Sequence, residues 1–229
     1  MKPSARVAQL IEELLADPSG FADRGRAYQL LQAYFSGAPL ETLRPLLRSA
    51  DAHVRRAAAF VVSELGVKAC PVLDDVLSLM NSGDRYLTFH AMESTALCAT
   101  GERSKEFFHI VGKLEDPDEV LRSLSMFLMS NAAASQLGAA LTLAERSRHN
   151  AHEEGLRVLI DASASDEAVL TLVHSDQPLR RRYGAVAAAR LYELRPQLLK
   201  NAEATEDRDV DSFMSSFLNQ RGARRQDGV

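Results

Sequence analysis

The sequence reads as an all-α protein assembled from repeated helix pairs, and three observations carry that reading. Apolar residues recur at Phe21, Val54, Leu87 and Val120, each 33 positions after the last. Each lies just after a short polar turn containing Asp, often with Ser, Gly or Pro. No segment sustains a period of two flanked by hairpin turns, whereas spacings of three and four run through the chain.

The first pair is expected over 4–16 and 21–36, broken at Asp17-Pro18-Ser19-Gly20, where Pro and Gly supply turn conformations and Asp a helix cap. The second, 39–49 and 53–65, breaks at Asp51-Ala52-His53, after which Val54, Ala58, Val61 and Leu65 form one buried stripe. The third, 69–81 and 85–99, breaks at Ser82-Gly83-Asp84-Arg85, and Leu87, Ala91, Ser94 and Cys98 repeat the stripe with weaker apolarity. The fourth, 104–115 and 118–132, breaks at Glu115-Asp116-Pro117-Asp118. From Val120 to Leu179 is 59 residues, two slightly shortened units: 135–147 with 151–163, then 165–174 with 178–193 around Ser175-Asp176-Gln177-Pro178. The last pair, 196–204 and 207–220, turns at Glu206-Asp207-Arg208-Asp209 before Val210. These pairs make one domain over 1–220; Arg221 to Val229 has no apolar face and reads as a flexible tail.

Composition bounds the class. The chain has 229 residues, 46% hydrophobic and 25% charged, which supports a packed core and excludes disorder as the main state. With 31 acidic against 27 basic side chains, its net charge of −4 argues against a general nucleic-acid coat protein, which needs a dense field of Lys and Arg. Two cysteines, Cys70 and Cys98, make neither a disulfide framework nor a four-cysteine zinc site, and both are expected reduced, on helices. Charge is scattered through Met1 to Leu15, so no signal peptide is read there; no apolar run reaches spanning length, and a cytoplasmic location is expected.

The stretch Leu46-Leu47-Arg48-Ser49-Ala50-Asp51-Ala52-His53-Val54-Arg55-Arg56-Ala57-Ala58 resembles the HEAT repeat consensus, in which a turn Asp precedes a Val-Arg pair and then small residues. The resemblance is good there, recognisable at Val120 and Leu179-Arg180, and poor at Leu87-Thr88 and Val210-Asp211. It implies an all-α, right-handed α-α superhelix, a HEAT-like α-solenoid of about six to seven helix pairs whose neighbours stack into a continuous core. Between Leu31 and Cys98 the chain is also similar to small bacterial HEAT-type immunity proteins, through Tyr34-Phe35-Ser36-Gly37, Leu43-Arg44-Pro45-Leu46-Leu47 and Ser63-Glu64-Leu65-Gly66. That similarity implies a non-catalytic protein that binds and neutralises a cognate toxin domain. HEAT-like DNA glycosylases are similar in length, but their basic concave face and aromatic platform have no counterpart in an acidic chain without Trp. A scaffold or adaptor for a modification system is a further reading, because it too requires only a shaped groove.

Motifs of catalysis are missing: there is no G-x-x-x-x-G-K-[ST], no G-x-G-x-x-G after a strand, no G-x-S-x-G and no H-E-x-x-H. The chain is therefore expected to be neither an enzyme nor a cofactor or metal protein. The second helix of each pair lines the groove in such folds, and Tyr86, His90, Glu93 and Leu97 form the stripe opposite the buried one. With Arg24, Tyr28, Arg56, Phe60, Glu64 and Arg122 they mix aromatics, Arg and acids as protein-binding patches do. Arg180-Arg181-Arg182-Tyr183 is the densest basic run; Arg182 and Tyr183 are candidates for contact with an acidic protein surface, with nucleic acid second and a solvated helix start as the bland account. Three further groups have bland expectations. Asp74-Asp75 reads as a solvated face, and His149, His152 and Glu153 as a solvated helix start in preference to a metal site. Arg55 and Arg180 are expected to pair with the nearby Asp51 and Asp176 in an Asp–Arg ladder.

Overall fold

A computed structural model describes residues 3–161, 163–203, 205 and 207–226. The described residues are predominantly helical and include no strand. No helix among them is long and apolar enough to cross a membrane. The helices gather into two compact units, Met1–Cys98 and Ala99–Val229.

In the first unit the helices are α1 (Pro3–Ala16), α2 (Pro18–Asp23), α3 (Arg26–Phe35), α4 (Arg44–Leu47), α5 (Ala52–Leu65), α6 (Leu73–Leu77) and α7 (Arg85–Cys98). Tight 3-10 turns at Leu40–Leu43, Gly66–Val72 and Ser78–Asn81 fill out the first helix of the second and third pairs. Pro71 lies inside such a turn, where its missing N–H costs no α-helical bond. Aspartates start the long helices as the turns predicted. Asp51 accepts from the amides of His53 and Val54, and Asp84 from those of Tyr86 and Leu87. Both expected stripes are interior: Val54, Ala58, Val61 and Leu65 on α5, and Leu87, Ala91, Ser94 and Cys98 on α7, are buried. Helices α1, α3, α5 and α7 pack in sequence order, each against the next, with the shorter segments layered on α5 and α7. Contacts of Arg56 with Asp84, Ser63 with His90 and Gly66 with Cys98 climb both helices together, so α5 and α7 run parallel.

Cys70 and Cys98 are joined in a disulfide with Cα atoms 5.0 Å apart. This corrects the expectation of two reduced cysteines: the repeat sets the turn at Cys70 beside the end of α7, a proximity that counting cysteines does not reveal.

In the second unit the helices are α8 (Phe108–Gly112), α9 (Glu119–Ser130), α10 (Ala134–Ser147), α11 (Asn150–Ile160), α12 (Asp166–Val173), α13 (Pro178–Arg190), α14 (Pro196–Glu203) and α15 (Arg208–Gln226). The 3-10 segments Gly101–Phe107 and Lys113–Glu115 flank α8. Helix α15 continues past the expected boundary, through 221–226; residues 227–229 of the expected tail lie outside the described residues. The register of the fourth repeat is one residue later than read. Asp118 caps α9, so Leu121, three positions on, takes the buried place that Val54 and Leu87 hold, and Val120 is 39% exposed. Val210, three after the capping Asp207, is buried. Packing here is not confined to neighbouring pairs: α9 contacts both α13 and α15.

Candidate functional site

The expected groove residues of the first unit converge on one face, built from the parallel pair α5 and α7. A cleft of about 830 Å³ is lined by Arg56, Ser82, Gly83, Asp84, Arg85, Tyr86, Phe89 and His90. A second, of about 450 Å³, lies between this face and the α2–α3 segment and shares Arg56 and Tyr86 with the first. Phe60 and His53 line it too, with Pro18, Ala22 and Ala27. Thus Arg56, Phe60, Tyr86 and His90 meet at the clefts. Arg24 and Tyr28 lie on the adjoining segment without lining either; Arg24 is bound to Asp17 at 2.6 Å, while Tyr28 is 60% exposed. Leu97 closes the stripe on the exposed side of α7, at 47%.

The local chemistry is set by an ion pair, a cluster of rings and the hydrogen bonds of one imidazole. Arg56 holds Asp84 at 2.8 Å. Burial works against the Asp84 charge, but the Arg56 guanidinium and the amides of Leu87 and Tyr86 outweigh it and keep its carboxyl below the ordinary range. His90 lies edge-on to Tyr86, Phe60 and Phe89, with centroids 4.4, 6.2 and 5.6 Å away. Its Nδ1 sits 2.8 Å from Ser63 Oγ and 3.2 Å from Glu93 Oε2. Ser63 already donates its hydroxyl hydrogen to the Phe60 carbonyl, and an ionised carboxylate only accepts, so Nδ1 carries the hydrogen. In the neutral ring the lone pair is therefore on Nε2, which makes no hydrogen bond among the described residues. The His90 side chain as a whole is 12% exposed. Because both neighbours share one ring nitrogen, Ser63, His90 and Glu93 are not wired as a nucleophile, base and orienting acid.

The candidates of the second unit are brought together differently. Arg122 and Arg182 both clasp Asp209, at 2.7 and 2.6 Å. Burial opposes the charge of Asp209, yet the two guanidinium groups outweigh it and lower its pKa. Tyr183 is 0% exposed, its hydroxyl 2.8 Å from His152 Nδ1 and its ring flat against Gly155; it forms no part of a surface. Arg180 pairs with Glu154 and Arg181 with Asp207, so the basic run offers no row of unpaired guanidinium groups for phosphates or for an acidic surface.

The bland expectations fail at several points. Asp75 is not solvated: it is 2% exposed and held by Arg44 at 2.6 Å and by Arg48. His152 is buried between Tyr183 and Glu115, the latter at 3.0 Å, while Glu153 turns to Arg157; the pair converges on no common point. Arg55 spans back to the carbonyls of Ser49 and Ala50 instead of pairing with Asp51. A regular offset is the signal that would have found these contacts. Arg48 with Asp75, Arg56 with Asp84, Arg181 with Asp207, Arg182 with Asp209 and Ser63 with His90 are separated by 27, 28, 26, 27 and 27 residues.

No protein-family model matches the chain, and no curated protein matches it.

Proposed function

We propose that this protein is a non-catalytic, HEAT-like α-solenoid that binds another protein, and that the α5–α7 face is where it does so. The observation that carries the reading is the gathering of Arg56, Phe60, Tyr86 and His90 around two adjoining clefts, with Tyr86 42% exposed and Leu97 exposed beside them. Exposed aromatic rings backed by packed side chains and flanked by Arg are what a partner's anchors desolvate. The sequential stacking of α1, α3, α5 and α7 supports the repeat architecture, since each pair covers the apolar face of the next. We take the partner to be a cognate bacterial toxin domain and the protein its immunity protein, by resemblance over Leu31 to Cys98.

The test is affinity purification of the tagged chain from its native lysate, with identification of what is retained, repeated with Tyr86→Ala and Phe60→Ala. A stoichiometric protein lost with either substitution, together with protection of cells against the toxin encoded beside it, supports the reading. Retention that ignores both substitutions removes the site, and cells left unprotected by the native chain remove the immunity role.

A further inference from the structure

The charges around Tyr86 are unevenly placed along the face, and this bears on what it binds. Burial is the main cause that raises the pKa of the Tyr86 hydroxyl, and of the charges acting on it Arg56 opposes Asp84, Glu64 and Glu93. Arg56 is already spent on Asp84. Among the described residues, Glu64 is exposed and makes no ion pair, and Glu93 is partly exposed and pairs with the imidazole of His90. Arg85 lines the cleft too, but it belongs to the turn at the start of α7, at the end where Arg56 and Asp84 meet. Along the parallel helices, then, the face runs from an arginine-bearing end at Arg56 and Arg85 to a carboxylate-bearing end at Glu64 and Glu93. Between them stand the rings of Phe60, Tyr86 and Phe89 and the imidazole of His90, whose Nε2 carries the lone pair when the ring is neutral. An aromatic wall beside carboxylates and a lone-pair acceptor suits a cation with an apolar stem.

We propose that this face holds a lysine or arginine side chain of the partner protein, its stem against Tyr86 and Phe60 and its charged head among Glu64, Glu93 and His90 Nε2. The proposal rests on the protein-binding reading and names the chemistry of the anchor. Carboxylates at the rim steer a basic partner surface toward the face, and the aromatic wall removes water from the side chain that enters. Leu97, one turn beyond Glu93, supplies an apolar rim on the same side.

The experiment measures anisotropy of a labelled heptalysine peptide and a labelled heptaglutamate peptide with the full chain, at low and at physiological salt. Two double variants accompany it: Glu64→Gln with Glu93→Gln, and Glu12→Gln with Glu167→Gln, which removes equal charge from exposed positions elsewhere. Circular dichroism confirms that each keeps its helicity. The expected result is binding of heptalysine that weakens about tenfold or more in the Glu64/Glu93 variant and little in the control. Equal loss in both variants assigns the attraction to net charge and overturns the proposal, as does preference for heptaglutamate. Should a partner be captured from lysate through Tyr86 while the Glu64/Glu93 variant captures it equally well, the protein-binding reading stands and the cationic anchor falls.

Discussion

Asp75 and His152 carry the most at the scale of single residues, because each is a titratable group taken out of water. The Asp75 side chain is fully buried, whereas its partners Arg44 and Arg48 keep much of theirs in solvent. Removing the carboxylate therefore leaves two cations that water can still reach, and Asp75→Ala is expected to cost about 1–3 kcal/mol. Removing both cations strands a buried charge, so Arg44→Ala with Arg48→Ala is expected to cost about 3–5 kcal/mol. Urea unfolding of the two variants decides it; the reverse order would mean the carboxylate is not desolvated. His152 makes a claim about pH. Burial lowers its pKa, aided by His149 and opposed by Glu115, and Tyr183 packs on its other side through a neutral hydrogen bond. A depressed folded value means the unfolded chain takes up the proton first. Stability is thus full above the ordinary histidine value, about 6.5, and declines as pH falls from there toward the folded value. The fall in urea midpoint between about pH 7.5 and pH 5 should be smaller in His152→Gln than in the native chain; equal falls would show that another group is responsible.

Among elements, the contrast between legible and illegible parts has a physical cause. A helix start is written locally: Asp51, Asp84, Asp118 and Asp207 each cap the helix that follows. The buried stripes of α5 and α7 follow directly from spacing. What was not legible depends on two segments meeting. Arg55 and Arg122 fold back onto carbonyls of their own preceding turns, and Arg181 does the same to Ser175, a recurring brace that spacing alone did not distinguish from ion pairing. The one-residue slip at Val120 arose because the capping Asp118 lies 34 residues after Asp84, where Asp84 lies 33 after Asp51, so the cap, not the 33-residue period, sets the register. The Arg56, Phe60, Tyr86 and His90 cluster was reached from the sequence because all four lie on α5 and α7; Ser63 on Nδ1 of His90 was not. The disulfide is the clearest case of tertiary information. It closes a 28-residue separation between the Gly66–Val72 turn and α7, which in the chain-entropy account is worth about 3–4 kcal/mol. Thiol titration of the denatured, unreduced protein should find no free thiol, and reductant should lower the unfolding midpoint accordingly. Two titratable thiols would return the cysteines to the reduced state that composition suggested.

At the scale of the molecule, the two units differ in how their helices depend on one another. In the first, α1, α3, α5 and α7 each pack on the next, so loss of an end helix exposes its immediate neighbour. In the second, α15 packs on α9 as well as on α13 and α14, and Asp209 at its start bonds Arg122, 87 residues earlier. The same carboxylate binds Arg182, which also donates to the Leu114 carbonyl, while Arg190 at the far end of α13 bonds the carbonyls of Met129, Ser130 and Ala132. Helices α9 and α13 are thus tied to each other at both ends, and α15 is tied to both at its start. A purely neighbour-to-neighbour array responds to truncation near the cut. This unit should respond at a distance: a chain ending after Ala202 loses Asp209, leaves Arg122 and Arg182 without their shared carboxylate, and uncovers the part of α9 that α15 packs on. Hydrogen exchange is the readout, with amides of Glu119–Ser130 expected to lose protection along with those of α13 and α14 while α5 and α7 keep theirs. Full protection of α9 in the truncated chain would mean that α15 is a terminal cap, and that the long-range pairing of Asp209 contributes nothing to holding the unit together.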